Sequence, residues 1–545
     1  MKKIALFLLL SATCFASHCF QAPKISYPMH VTNMSRLPPD LTCLNLNCPS
    51  TLTGYNYYQN VAFDPQIAVN PKDHKNIVIV AQQDALANAT YNASLPIASI
   101  VLYTLNGGKS WGQSHIVMSR CQGATDYKSN TNFISAYFPS VSFDQDGICY
   151  IFTSSYNLFE ADHQVTENFA EGNIIAKSVD GGLNWTQPLA ATRDEGTCHY
   201  LDFPHMTCDP YRARTVYIVS SDNTCLVSES CEDPDFTGNQ NIVFQKTADA
   251  GLSWTSPSLI HSFEQDTPDQ CTPIPMWHQL AVLPDHEHAL FVSSMIQRSP
   301  ADMLESHPHD ELFVWKSKDE GKTWHKKRVA KIPHVLVVDP DEPTLPVTCF
   351  TTKDMAVNHC TGYIYLVYTD PQFNPTGQAG CVIRMSKDGG TCWSKPRPIN
   401  PKSLDVQTFL PTVAVAKDGT VGVLFYDFRS FETGDPELNT DVWMAFFDEE
   451  LEHHLGEALL TPNSFDTRES IRGYNGVDQE NCQFDYYISN HVGVKSIGND
   501  FVAAFTVTNN KCPVATIGSF PCDSFPLTID NCNRQDIVFV HIKRE

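Results

Sequence analysis

The sequence predicts an all-β protein, a β-propeller of about seven four-stranded antiparallel blades, and two observations predict it. One is a turn motif that occurs five times at a spacing of about 70 residues. The other is a set of short alternating or β-branched runs that accompanies the motif and continues in the same order beyond its last copy.

The five copies are TLNGGKSW (Thr104 to Trp111), SVDGGLNW (Ser178 to Trp185), TADAGLSW (Thr247 to Trp254), SKDEGKTW (Ser317 to Trp324) and SKDGGTCW (Ser386 to Trp393). Each fits Ser/Thr-x-Asp-x-Gly-x-x-Trp, with Asn106 standing once for Asp. The chemistry is that of a tight hairpin turn. The Asp or Asn side chain accepts from turn N–H groups, Gly takes a backbone conformation that other residues resist, and Trp closes an apolar cluster beneath. As turn carboxylates, Asp180, Asp249, Asp319 and Asp388 are not candidates for acid or base.

Around the boxes the strand runs repeat, as in PSVSFD, GICYIFTSS and NIIAKSVD, and again in HQLAVLP, ALFVSSM and LFVWKSKD. Two further units keep the strands without a clean box: LPTVAVAKD, TVGVLFYDFR and DVWMAFFDEE, then HVGVKSIGND, FVAAFTVTNN and DIVFVHIKRE. First strands begin near Asp64, Phe138, His205, His278, Asp354, Pro411 and Tyr487, which makes seven units; six is the alternative if the last packs as a closing appendage. A sheet this small cannot bury both faces alone, and radial repetition solves that problem. A row of β-sandwiches would want about 100 residues per unit. Residues 61–545 therefore read as one propeller rather than several domains.

Residues 1–16 have the layout of a secretory signal peptide: Met1, Lys2 and Lys3, an apolar run from Ile4 to Leu10, then small and polar residues. The expectation is a secreted, periplasmic or extracellular protein. No stretch approaches the roughly 20 apolar residues of a membrane-spanning helix, and Cys14 and Cys19 lie in poor contexts for lipid attachment. Residues 17–60 form a Cys- and Pro-rich segment. Cleavage after Ala16 removes one of the 19 cysteines and leaves an even number, suited to disulfides in an oxidising compartment. Cys43 with Cys48, Cys225 with Cys231, and the group Cys512, Cys522 and Cys532 are spaced for local staples. The net charge of −24 excludes nucleic acid and anionic membranes as partners.

The five boxes resemble the Asp-boxes, or BNR repeats, of the sialidase superfamily, and the resemblance runs from about Asp64 to the end. It implies a propeller whose boxes sit at the blade periphery, away from any catalytic funnel. A working sialidase of this kind needs three arginines to grip the substrate carboxylate, a Tyr nucleophile activated by a Glu, and an Asp acid/base. Arg36, in Ser35-Arg36-Leu37-Pro38, is the nearest match to the family's first arginine motif, although the preceding aromatic residue is lost. Arg298, Arg384, Arg429 and Arg472 are the other candidates.

Position within the blade gives an independent selection, because first strands line the axis and polar residues at one mouth form the default site. It picks Asp64, His205, His278, Asp354, Asp485 and Tyr486, with Gln83, Asp84, Asp370, Tyr426, Asp427 and Arg429 at second-strand ends. Arg36, Arg429, Asp427, Tyr486 and Asp485 are thus the candidate catalytic residues. Asp64, His205, His278, Asp354 and Arg298 are the candidate substrate-binding ones. Tyr486 as nucleophile needs a nearby base, and Glu469 and Glu480 are close in the chain. For the axial residues the competing reading is a set of satisfied polar groups that tie blades together.

The His-rich pieces DHEH (Asp285 to His288), HPHD (His307 to Asp310) and EHH (Glu452 to His454) have no metal-binding register, so no metal and no cofactor is expected. Asn33, Asn88, Asn92 and Asn184 stand in glycosylation sequons. Two functions remain. One is a glycoside hydrolase of the exo-sialidase type acting on terminal acidic sugars. The other is a non-catalytic propeller, acting as a monomer, that binds a glycan or glycoprotein on its loop-built face.

Overall fold

The computed structural model describes residues 23–25, 29–31, 55–88, 93–119, 122, 133, 135–156, 170–195, 199–224, 239–264, 273–285, 287–297, 309–348, 352–473, 485–509, 516–517, 528–530 and 535–544. The chain is all-β, built largely of four-stranded antiparallel sheets, and its only helical pieces among the described residues of these sheets are the short turns Pro371–Phe373 and Thr467–Glu469.

Seven sets of strands follow one another, numbered here as sheets 1 to 7 by their first strands: Tyr55–Val69, Ser135–Phe143, His199–Cys208, Ile274–Val282, Lys353–Val357, Thr408–Val415 and Gly493–Ile497. Within each, successive strands pair antiparallel from first to last. The seventh first strand lies later than the sequence suggested. Tyr487 belongs instead to a two-stranded hairpin, Ile471–Gly473 with Asp485–Tyr487.

Sheet 7 draws its outer strand from the other end of the chain. Its third strand, Gln535–Lys543, pairs antiparallel with Lys24–Ile25 and Met29–His30, and the Val31 N–H donates to the Ile537 carbonyl at 2.9 Å. Sheets 1 and 7 also meet at the parallel bridge between Val61 and Gln535.

Alternation along the strands gives each sheet two apolar faces, and successive sheets bury them against each other. Val78, Val101 and Ile151 lie between sheets 1 and 2, and Val219, Phe244 and Trp315 between sheets 3 and 4. Phe425 and Ile383 join sheets 5 and 6, and Leu424, Phe446 and Phe505 join 6 and 7. Ile79, Val502, Ile537 and Phe539 fill the space between sheets 7 and 1. First strands touch in the same order, and that of sheet 7 touches that of sheet 1.

The five boxes form as their chemistry requires. In the second, the Ser178 hydroxyl donates to Asp180 (2.8 Å) and accepts from the Gly182 N–H (2.9 Å), the Asn184 N–H donates to Asp180 (2.9 Å), and Trp185 Nε1 donates to the Gly182 carbonyl (3.2 Å). The Ser253 and Thr323 hydroxyls hold Asp249 and Asp319 below the usual carboxylate range. In four of the five boxes, those of Gly108, Gly182, Gly321 and Gly390, the glycine also seats the turn on the preceding sheet. A Cβ on Gly321 would lie 2.4 Å from Phe244 of sheet 3, and one on Gly108 would lie 2.3 Å from Phe539 of sheet 7.

Candidate functional site

The first strands carry a shared irregularity. In sheets 1, 2, 3, 4 and 6 the pairing of first with second strand slips by a bulge, and Asp64, Phe138, Phe203, Trp277 and Leu410 sit there with φ of 53°, 45°, 46°, 54° and 50°. Non-glycine residues held in this left-handed region cost on the order of 1–3 kcal/mol each and persist where the surroundings over-determine them. Here four of the five are followed by a proline (Pro65, Pro139, Pro204 and Pro411), and the fifth by His278.

The bulges bring aromatic rings together. Phe138 and Phe203 lie 5.5 Å apart, Phe203 and Trp277 4.9 Å, and Trp277 and His491 4.9 Å. Between this cluster and the turns that join first to second strands lies a cavity of about 410 Å³, lined by residues of all seven first-strand segments. Asp64, His205, His278 and Asp354 all line it.

Each of the four has partners. Asp64 accepts from the Tyr487 hydroxyl (2.7 Å), the Ser489 hydroxyl (2.9 Å) and the N–H groups of Asn490 (2.5 Å) and His491 (3.2 Å), tying sheet 1 to the segment leading into sheet 7. Asp354 accepts from the Val413 N–H (2.8 Å), the Thr412 hydroxyl (2.5 Å) and the Gln279 side-chain amide, so one carboxylate spans sheets 4, 5 and 6. His205 Nδ1 accepts from the Leu280 N–H at 3.2 Å, which leaves its proton on Nε2. Burial, with Lys353 nearby, lowers its pKa to about 3. The Ser221 hydroxyl donates to the Pro275 carbonyl (2.7 Å), so His278 Nε2 donates to Ser221 Oγ (2.8 Å) and the ring is neutral; burial holds its pKa well below the ordinary value.

Sequence reasoning missed two members of this centre. Lys353 is 5% exposed, and its ammonium donates to the Ser293 carbonyl (3.0 Å), the Ser293 hydroxyl (2.6 Å) and Gln279 Oε1 (3.2 Å). Burial lowers its pKa well below the usual lysine value. His491 completes the aromatic cluster. Neither carried a local signal in the sequence.

The second candidate group lies on sheet 6 and does not line the cavity. Arg429 Nε donates to Asp427 (2.5 Å), its Nη1 donates to Glu457 (2.8 Å), and its guanidinium lies 4.0 Å from the Trp443 ring centre. Burial pushes the Asp427 carboxyl up to about 6 against the pull of Arg429. Arg384 donates to the Tyr368 hydroxyl (2.7 Å) and the Val329 carbonyl (3.3 Å). Asp370 caps a short turn by accepting from the Gln372 N–H, and the Tyr426 hydroxyl donates to the Thr506 carbonyl at 2.8 Å. Gln83 and Asp84 are buried.

Tyr486 is buried within the core of sheets 6 and 7. Next to it Arg468, which the sequence did not single out, donates to both oxygens of the fully buried Asp339, at 2.7 and 2.9 Å. Arg36, Arg298 and the side chains of Asp485 and Arg472 lie outside the described residues, as do Glu480, the leader and the cysteine pairs named above. Cys149, Cys208, Cys360, Cys381 and Cys392 are free thiols. Among the described residues no group of three or more His, Cys, Asp or Glu is placed to hold a metal ion, and no helix is long and apolar enough to cross a membrane.

No family model matches the chain, and no curated protein matches it. Among solved structures it is similar to a Hadza microbial sialidase, at 11% identity over 83% of this chain and 73% of that one, with a TM-score of 0.40. A variant of the NanB sialidase from Streptococcus pneumoniae is 9% identical over 96% of this chain and 99% of that one, with a TM-score of 0.42. An ulvan lyase from a new family of polysaccharide lyases is 10% identical over 83% and 92%, with a TM-score of 0.45.

Proposed function

We propose that the seven sheets are the blades of a closed propeller, sealed by the N-terminal strand, and that this exported protein binds a glycan or glycoprotein without hydrolysing it. The site is placed at the axial end where first strands begin. The observation that carries the reading is the state of the arginines. Arg429, Arg384 and Arg468 are each engaged by protein partners, and among the described residues no arginine lines the axial cavity. None of these three is therefore free to form a carboxylate grip of the sialidase type.

The same end offers what a sugar needs. Tyr137, beside the aromatic cluster, and Phe203, within it, are half-buried, and burial pushes the Asp202 carboxyl up to about 7, so near neutrality it both donates and accepts hydrogen bonds. Exo-sialidase hydrolysis is the competing reading, and its requirement for Arg36 and Arg298 falls outside the described residues.

Binding of the purified protein to a panel of immobilised glycans, alongside the Asp202→Ala variant, tests the proposal. Retention on a subset of glycans, weakened at least ten-fold in the variant, is the expected result. Retention on none of them, or release of sialic acid from the panel, overturns it.

A further inference from the structure

The axial cavity lies on the other side of the aromatic cluster from the proposed glycan mouth. We infer that it is a second, separate binding site, built for one neutral, hydroxyl-rich molecule of the size of a monosaccharide or cyclic polyol, entered from the end where first strands turn into second strands.

Entry at that end follows from the lining. At the bulges the cavity meets Phe138, Trp277 and His491, whose rings pack edge to face. At its other end it reaches His359 and Lys495, both exposed. A volume of about 410 Å³ is within the range of small-molecule pockets, roughly 300–1,000 Å³.

The chemical class follows from which polar groups are still open. The charged groups deep in the cavity are satisfied from within. Asp64 takes four hydrogen bonds, Asp354 takes three, and all three N–H groups of Lys353 have acceptors. A charged ligand would have to break one of these buried arrangements, which costs several kcal/mol. What is left on the inner walls is uncharged, and the Lys495 ammonium stands exposed at the entrance. His205 offers Nε2–H, Gln66 offers an amide without a partner among the described residues, and Thr207 offers a hydroxyl whose contact with the Cys208 carbonyl is long at 3.5 Å. All three are half-buried, as groups facing an internal space are.

Neutral donors and acceptors around the wall, with aromatic rings closing one end, match the two faces of a sugar ring: hydroxyls at its edge and C–H groups on its face. The inference does not depend on the glycan-mouth reading, because no residue of the Tyr137, Asp202 and Phe203 group lines the cavity.

Saturation-transfer NMR with the full-length protein tests it. The probes are glucose, galactose, mannose, rhamnose and myo-inositol, with glucuronate and glucosamine as anionic and cationic controls. At least one neutral probe should bind at millimolar concentration and the charged controls should not. Thr207→Leu, which fills the cavity, should abolish the signal of that neutral probe. Thr207→Val removes only the hydroxyl and should weaken binding about ten-fold; it serves if the leucine variant does not fold. Absence of binding by every neutral probe, equal binding of the charged controls, or binding that folded Thr207→Leu leaves intact overturns the inference. Loss on Asp202→Ala instead of Thr207→Val would place the sugar at the mouth and also overturn it.

Discussion

Gly108→Ala tests how the two ends of the chain are joined. Gly108 closes the first box with φ +84°, and its N–H donates to the Thr104 hydroxyl at 3.1 Å. An added Cβ would fall 2.3 Å from Phe539 Cε1 and 2.8 Å from Cζ. The Phe539 ring has little room to yield, because it is 3% exposed and packs against Trp111 with ring centres 5.0 Å apart. The left-handed backbone alone costs an L-residue about 1–2 kcal/mol, and overfilling a packed site adds about 1–3 kcal/mol. The expected loss is therefore about 2–5 kcal/mol. Gly377→Ala is the control, since Gly377 has φ +74° and nothing within 4 Å of its Cβ position, so only the backbone cost of about 1–2 kcal/mol applies. Urea unfolding followed by tryptophan fluorescence, with Phe539→Leu singly and in combination, gives the comparison. The combined variant should lose less than the sum of the two single changes. Equal losses for Gly108→Ala and Gly377→Ala, with strict additivity at Phe539, would refute the seating of sheet 1 on sheet 7.

Two further predictions concern buried charge. Arg468→Ala leaves the fully buried Asp339 carboxylate without its guanidinium and should destabilise the protein by about 3–5 kcal/mol, whereas replacing both by Met and Leu should lose distinctly less in the same unfolding assay. His205, with its pKa lowered to about 3 by burial against an ordinary 6.5, should show no ring-proton shift in NMR between pH 8 and pH 5. Its contribution to stability is complete above pH 6.5 and is lost as pH falls towards 3, because the unfolded chain binds the proton first. His205→Asn should therefore flatten the acid side of the stability profile, and an unchanged profile would show that His205 is not held neutral.

What was legible in the sequence was local. Every box partner lies within eight residues of chain, so the serine or threonine, aspartate, glycine and tryptophan announce the turn without tertiary knowledge. The bulges were half legible: Pro65, Pro139, Pro204 and Pro411 mark the same position, but only pairing with the second strand shows that the preceding residue is left-handed. Lys353 could not be read, because its acceptors Ser293 and Gln279 belong to another sheet, about 60 and 74 residues away in the chain. Arg429 stood out through its neighbour Asp427, while Glu457 and Trp443, which also hold it, come from later strands. The strand pieces Lys24–Ile25 and Met29–His30 are too short for any periodicity, and their partner is at the far end of the chain.

The most direct test of the account is incubation of the purified, full-length protein with a fluorogenic sialoside while its retention on sialylated and desialylated glycans is followed in parallel. The account predicts retention on glycans with no release of fluorophore above the uncatalysed rate. Release that scales with protein concentration would contradict it and establish a hydrolase whose arginines lie outside the described residues.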